Sequence, residues 1–299
     1  MITIGLSQGL GNQIFQYCLG ESLKLQLNNE IEVNYLFDLR PPDQMKMWDI
    51  FDVKINWIDD ERKKLRHIYK ISPTYRHYLF KIFKSLKLNK RLNIFDDSNY
   101  LHKNILKNKN NIYLKGYWQN LKLFSNQFRQ ITNELKFKKK LNIHQKLNNI
   151  KIYNKNSILI AVHIRGGDYL QKKNSFLRNN INKEYYLNWI NIFRKKFINR
   201  LFIFFSDDND YLNKMDILND NDCINFSEIS PCRIDDFQYL SLCNHFIIPN
   251  STFSLWAYYL NKNKNKILIT PDSWYSFDKN IIRNLVTLEM INKKNNLLI

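Results

Sequence analysis

Between Ser157 and Asp272 the chain repeats one pattern, a short uninterrupted apolar run that ends in a cluster of polar residues. Ser157–Ile164 ends in Arg165-Gly166-Gly167-Asp168, and Leu201–Phe205 ends in Ser206-Asp207-Asp208. Phe246–Ile248 ends in Pro249-Asn250-Ser251-Thr252, and Lys266–Ile269 ends in Thr270-Pro271-Asp272. Runs of this length without polar alternation are strands buried on both faces, the condition of a parallel sheet covered by helices. Helical periodicity separates them over Lys183–Phe197, Asp235–Cys243 and Phe253–Leu260. Strands alternating with helices confine the fold to an open parallel α/β sheet, whose ligands sit beyond the carboxyl ends of the strands. The polar clusters fall at those ends, so they predict a single site.

The N-terminus has the same grammar. Met1–Leu6 reads as a buried strand, Ser7-Gln8-Gly9-Leu10-Gly11 breaks it, and an apolar-periodic helix follows from Asn12 to Leu27. A second β-type run, Ile31–Phe37, completes a βαβ unit. A chain of 299 residues is long enough for two such halves. The Lys/Asn-rich tract Phe137–Asn156 is the natural junction, which predicts an N-terminal domain over 1–152 and a C-terminal domain over 153–299.

The formal charge is +19, from 46 basic and 27 acidic residues. Such a balance suits an anionic partner, whether nucleotide, nucleic acid or membrane surface, and it equally suits a solvated surface in a Lys- and Asn-rich chain. From Arg62 to Arg91 the sequence is helical in pattern, basic and free of acids. That stretch fits either a solvated helical face or peripheral contact with an anionic inner-membrane surface. No recognisable RNA- or DNA-binding signature accompanies the charge. The four cysteines, Cys18, Cys223, Cys232 and Cys243, form no C-x-x-C pair and no zinc spacing, as expected of thiols in a reducing compartment. The chain opens on no signal-peptide pattern and has no apolar run near the roughly 18 residues that span a bilayer. A cytoplasmic protein is the expectation.

Chemistry concentrates in the polar clusters. Arg165 at a strand end can grip phosphate oxygens with parallel N–H donors, or it can form a structural ion pair with Asp168. Asn250, Ser251, Thr252 and Ser254 open a helix, where hydroxyls either cap the first N–H groups or leave them facing an anion. Asp207 or Asp208 can accept the paired N–H donors of a guanine edge, or can be solvated turn acids. His163 lies on the same strand end as Arg165 and suits positioning rather than proton transfer. Gly9-Leu10-Gly11 lacks the third glycine of a dinucleotide turn, since Ile14 stands there, but it lets the backbone at Gly11, Asn12 and Gln13 approach a ligand. Asp208-Asn209-Asp210 matches a D-x-D metal motif in letters only, so no metal ligand is assigned.

These stretches resemble the bacterial α-1,2-fucosyltransferases of glycosyltransferase family 11. The matching strings are Gly9-Leu10-Gly11-Asn12-Gln13-Ile14-Phe15-Gln16-Tyr17, Gly116-Tyr117-Trp118-Gln119 and Val162-His163-Ile164-Arg165-Gly166-Gly167-Asp168-Tyr169. Phe205-Ser206-Asp207-Asp208, Asn250-Ser251-Thr252-Phe253-Ser254-Leu255-Trp256-Ala257 and Ile269-Thr270-Pro271-Asp272-Ser273-Trp274 follow in order.

The resemblance implies a GT-B architecture of two Rossmann-like halves facing across a cleft, and inverting transfer of fucose from GDP-fucose without a metal or other cofactor. It implies that Arg165 holds the diphosphate, that Asn12 reaches the donor and that Ser251 with Thr252 completes the phosphate pocket. It places His163 and Asp207 or Asp208 at the guanosine, and a terminal galactose of a surface glycan as the acceptor. The chain departs from the family at Gly166, where a second arginine is usual, and Lys172 or Lys173 is the candidate substitute. Asp38, just past the second strand, is the candidate general base. Two other readings stand beside this one, a GDP-sugar-binding protein with little turnover and a basic nucleic-acid-binding protein.

Overall fold

The structure, a computed structural model, describes residues 1–28, 32–38, 45–58, 93–96, 112–170, 181–230 and 232–271. The basic stretch 62–91, Lys172, Lys173 and Asp272 lie outside the described residues, as do the side chains of Asp38 and Asp168. The chain divides into two compact units, Met1–Lys136 and Phe137–Ile299. Each is an α/β unit on a parallel sheet, the Rossmann-like half from which GT-B chains are built.

The first unit opens with β1 (Ile2–Ser7), which buries Ile2, Ile4 and Leu6 on one side and Thr3 on the other. Gln8 turns the chain through a left-handed φ of 65°, and α1 (Leu10–Gln26) starts directly after Gly9. Its buried stripe, Ile14, Phe15, Cys18, Leu19 and Leu23, covers the sheet. β2 (Val33–Asp38) pairs parallel to β1, and the short helix α2 (Met47–Ile50) follows. β3 (Asn93–Asp96) and β4 (Ile112–Lys115) lie on the other side of β1, giving the all-parallel order β2-β1-β4-β3. Helix α3 (Phe128–Glu134) closes the unit.

The second unit begins ahead of the junction drawn from composition, because the polar tract after Lys136 packs onto its own C-terminal neighbours. The Phe137 ring lies 6.1 Å from that of Phe237, Lys139 pairs with Asp235 at 3.1 Å, and Gln238 donates to the Lys139 carbonyl at 2.8 Å. Helix α4 (Ile143–Leu147) is capped by Asn142, and β5 (Ile158–Ile164) follows. Then come α5 (Lys183–Lys196), β6 (Arg200–Ser206), α6 (Asn209–Lys214), β7 (Cys223–Asn225) and α7 (Phe226–Ile229). Helix α8 (Arg233–Ser241), β8 (His245–Ile247), α9 (Thr252–Leu260) and β9 (Leu268–Ile269) complete the described part. Ile160, Val162, Ile164, Phe193, Phe202 and Phe204 are fully buried between sheet and helices. Each such side chain contributes ~1.5–3 kcal/mol of transfer free energy.

Strand order fixes where a ligand can sit. The second sheet runs β7-β6-β5-β8-β9, all parallel, so the chain leaves β5 toward β6 on one side and returns through β8 on the other. The order reverses between β5 and β8, and helices leaving those two strands diverge to open a crevice at their carboxyl ends. Arg165 and the Asn250–Ser254 turn are the segments that flank it.

Packing of α1 onto its sheet supplies a stability test. A Cβ at Gly20 would run into the Tyr35 hydroxyl and would lie 2.8 Å from Ile4 Cδ1. Tyr35 cannot yield, because it is fully buried, stacks on Tyr17 at 5.6 Å and donates its hydroxyl to Glu21 at 2.6 Å. Ala normally stabilises a helix interior over Gly, by roughly 1 kcal/mol. Here Gly20→Ala is expected to destabilise the chain by ~1–3 kcal/mol through overpacking. Chemical denaturation of both proteins checks it, and a more stable variant would show that Tyr35 can move aside.

Candidate active site

Arg165 emerges at the end of β5 with its side chain 30% exposed, and its Nη1 lies 2.6 Å from Asp207 Oδ2. Register explains the meeting. Ile164 and Ser206 are partners at the ends of β5 and β6, so the residues that follow each strand lie side by side. Asp207 Oδ1 also accepts the Gly166 N–H at 2.8 Å. A single carboxylate thus holds both the guanidinium and the backbone of the turn.

Gly166 has no room for a side chain. A Cβ there would lie 2.5 Å from Asp208 Cβ, and one at Gly167, whose φ is +30°, would lie 2.8 Å from Asp207 Oδ2. Asp208 in turn caps α6, accepting the Tyr211 N–H at 2.9 Å. The residues Asp208-Asn209-Asp210 are thus a helix start. These bonds use one acceptor position on each Asp207 oxygen and one on Asp208, and both carboxylates keep lone pairs for further donors.

On the other flank of the crevice, Ser251 is the N-cap residue of α9 and its side chain makes no capping bond. The Ser251 hydroxyl is thus not spent on the usual N-cap bond to the start of α9. Asn250 and Ser251 are buried in the turn, and Thr252 begins the helix. Ser254 bonds instead to His163, with Oγ 2.8 Å from Nδ1. His163 is 3% exposed. Burial first, and the neighbouring Arg165 second, lower its pKa from 6.5 to about 3, so the ring is neutral at physiological pH. It ties the end of β5 to the first turn of α9 and stays uncharged in the working range. Tyr186 and Tyr185 brace the same two strand ends, donating to the carbonyls of His163 at 3.0 Å and Ile248 at 2.9 Å.

Sequence reasoning missed Asp236 and Arg233, both on α8. Arg233 Nη2 donates to the Asp207 carbonyl at 2.9 Å, and Phe237 packs edge-on against Phe253 in the first turn of α9 at 5.1 Å. Helix α8 therefore bridges the end of β6 and the start of α9. Asp236 lies between these anchors, is 9% exposed, and its Oδ1 has no hydrogen-bond partner among the described residues. Burial pushes its carboxyl up from 3.8 to about 7, with Arg233 pulling the other way. Thr270 Oγ1, just past β9 on the same edge, is likewise buried without a partner among the described residues. Buried polar atoms are nearly always paired, so these two stand out. The available signal was positional: Asp236 stands one turn before Leu240 on the buried stripe of α8.

In the first unit the carboxyl edge is built by α1. Gln16 is fully buried, accepts the Ser7 N–H at 2.8 Å and donates to the Gly116 carbonyl at 2.8 Å, strapping the turns after β1 and β4 together. Asn12 Oδ1 accepts from Gln119 at 2.7 Å beside the buried Gly11. Gln13, expected at a ligand, is corrected to a structural role. It is fully buried, and its amide bonds the carbonyls of Gln8 at 2.7 Å and Met45 at 2.9 Å and the Met47 N–H at 3.0 Å. Asp38 is the last residue of β2, opposite Ser7 on the same edge.

The fold is that of a parallel α/β protein with a guanidinium and a helix start gathered at a topological switch point, the place where open sheets of this class hold their ligands. The profile of Glycosyl transferase family 11 matches residues 53–284, and the chain belongs to that family. It is 28% identical to an Alpha-1,2-colitosyltransferase of Escherichia coli over 280 residues, 92% of each chain. It is also 28% identical to the O-antigen biosynthesis glycosyltransferase WbnK of Escherichia coli over 300 residues, covering 91% of this chain and 94% of that one. Among solved structures, the fucosyltransferase NodZ from Bradyrhizobium superposes with a TM-score of 0.47 at 13% identity, covering 86% and 90% of the two chains. No helix among the described residues is long and apolar enough to cross a membrane.

The Asp236 carboxyl gives a stability signature. The folded state keeps its proton up to about pH 7, whereas the unfolded chain releases it near the ordinary value of 3.8. Ionisation across that window therefore costs stability, which falls as pH rises. Asp236→Asn, which cannot ionise, is expected to melt several degrees above wild type at pH 8, with the gap closing toward pH 4. Thermal melts across that range check it, and a gap independent of pH would mean the carboxyl ionises as it does in water.

Proposed function

We propose that the chain is an inverting, metal-independent transferase that moves L-fucose from GDP-fucose to a hydroxyl, O2 of a terminal galactose, on a surface glycan. The observation that carries this reading is the Arg165 guanidinium, set by Asp207 at the switch-point crevice of a family 11 chain. Breaking the bond between fucose C1 and the β-phosphate oxygen puts growing negative charge on GDP, which fixed donors can stabilise without reorganising. Arg165 and the start of α9, with Ser251 and Thr252, supply those donors from opposite flanks.

Asp236 joins Asp207 and Asp208 as a candidate for the nucleotide role. Ionised, its carboxylate matches the N1–H and exocyclic amine of guanine, a pair that uracil and adenine do not present. His163, being neutral, positions Ser254 and the helix start and leaves proton transfer to another group. The acceptor hydroxyl attacks C1 opposite the departing phosphate, which turns a β-linked donor into an α-linked product, and its proton passes to a base. Asp38 at the carboxyl end of β2 is our candidate, with Asn12 on the neighbouring turn contacting the donor.

A second donor deserves a place in the assay because one relative is named a colitosyltransferase, and colitose is fucose without its 3-hydroxyl. Assembly of a lipid-linked glycan would place the enzyme at the cytoplasmic face of the inner membrane, held there by the 62–91 basic stretch. Retention on anionic vesicles at low salt, lost as salt screens the attraction, is the expected behaviour, and no retention would remove that setting.

Arg165→Ala is expected to lower kcat/KM for GDP-fucose transfer by ~10²–10³, the scale of losing one transition-state donor. Near-normal turnover would remove the centre of the mechanism. Activity is expected to persist in excess EDTA, and transfer from GDP-fucose is expected to exceed that from UDP- or ADP-sugars. A strict divalent-metal requirement, or preference for a uridine donor, would overturn the reading.

A further inference from the structure

Two guanidinium groups converge on Asp207, and only one of them follows a strand. Arg165 takes the carboxylate at 2.6 Å, whereas Arg233 reaches over from the first turn of α8 to the Asp207 carbonyl at 2.9 Å. We infer that Arg233 is the second cation of the diphosphate site, set beside Arg165 by the Asp207 backbone and reaching the phosphates from the α8 side of the crevice.

The inference rests on the GDP-sugar reading above, but on a residue that reading does not need. Arg165 shares its charge with the Asp207 carboxylate, while a nucleoside diphosphate brings roughly three negative charges, more than one half-neutralised guanidinium offsets. The turn itself cannot supply another cation. Gly166 is sealed by Asp208 Cβ, 2.5 Å from where its own Cβ would stand, so any side chain there would displace the cap of α6. A second positive group then comes from outside Gly166-Gly167, and among the described residues α8, which bridges the end of β6 and α9, carries one at this edge.

Arg233 also has the donors to spare. A guanidinium carries five N–H groups, and the Asp207 carbonyl occupies one of them in an exposed setting that a ligand can reach. That bond goes to a neutral carbonyl, so it orients the side chain without cancelling its charge. The nearby acids do less to neutralise it. Asp235 pairs with Lys139 at 3.1 Å, and the Asp236 carboxyl makes no ion pair with Arg233 among the described residues.

A merely structural role predicts different behaviour from a charge role, and conservative variants separate them. Arg233→Gln keeps an N–H donor for the Asp207 carbonyl and loses the charge, whereas Arg233→Lys keeps the charge. Calorimetry with GDP on wild type, both variants and Arg165→Ala is the test, with melting temperatures as the control for folding. The expected result is a tenfold or larger loss of GDP affinity in Arg233→Gln, recovery to within about threefold of wild type in Arg233→Lys, and melting within a few degrees of wild type in both. Unchanged affinity in Arg233→Gln, or equal losses in both variants, would overturn the inference. Wild type that binds no GDP would instead sink the GDP-sugar reading, and an Arg165→Ala loss without an Arg233→Gln loss would leave that reading standing while removing this one.

Discussion

The carboxyl edge of the second sheet is organised around one carboxylate, that of Asp207. It sets the Arg165 guanidinium at 2.6 Å and the Gly166 N–H at 2.8 Å, and its backbone carbonyl anchors Arg233 at 2.9 Å. An arginine side chain carries ~2 kcal/mol of rotamer entropy, which a ligand must otherwise overcome when it orders the group. Ordering it in advance moves that cost from binding into folding, where the sheet register already brings the two strand ends together. The glycine that follows is a consequence of the same arrangement. With Asp207 gripping the turn backbone and Asp208 packed above it, only a residue without a Cβ fits.

A second network holds the crevice open at a fixed width. His163 bonds Ser254, Tyr186 bonds the His163 carbonyl and Tyr185 bonds the Ile248 carbonyl, so β5, β8, α5 and α9 are tied by buried polar contacts at the point where their apolar packing ends. In low dielectric such contacts are strong when satisfied and costly when broken, and they favour a single geometry over a softer apolar seal. A donor site that must meet charge developing on a leaving group benefits from that rigidity, because donors that shift to follow the charge lose much of their stabilising effect.

How legible this was in the sequence follows from the range of the interactions. The strands of the second unit are plain because burial on both faces leaves uninterrupted apolar runs such as Leu159–Ile164. β3, β4 and β7, with three or four residues each, are too short to leave a period. Arg165 and the Asn250–Ser254 turn were readable as strand-end chemistry, but not the reversal of strand order between them, since pairing is decided by contacts far apart in sequence. For the same reason the partners of the acids were not legible. Nothing in the neighbours of Asp207 shows that Arg165, some forty residues earlier, pairs with it. Asp236 left no signal because it stands next to a second acid, Asp235, at a helix start, and only packing against α9 buries the one more deeply than the other.

The two titratable groups at this edge have been pushed apart by the same force acting on opposite charges. Burial disfavours whichever form is ionised, so the imidazole of His163 falls to about 3 and the carboxyl of Asp236 rises to about 7. Each is thereby neutral through most of the acid range, but they part company near physiological pH. His163 stays neutral and structural, which keeps a third positive charge from crowding Arg165. Asp236 is poised to ionise, and a ligand presenting two N–H donors would draw it into its charged form while satisfying its orphaned oxygen. Burial without a partner is unfavourable for the empty protein, and that cost is tolerable where binding relieves it. In the proposed donor complex the orphaned carboxyl and the closely held guanidinium would be complementary, binding relieving the first while the second is already ordered.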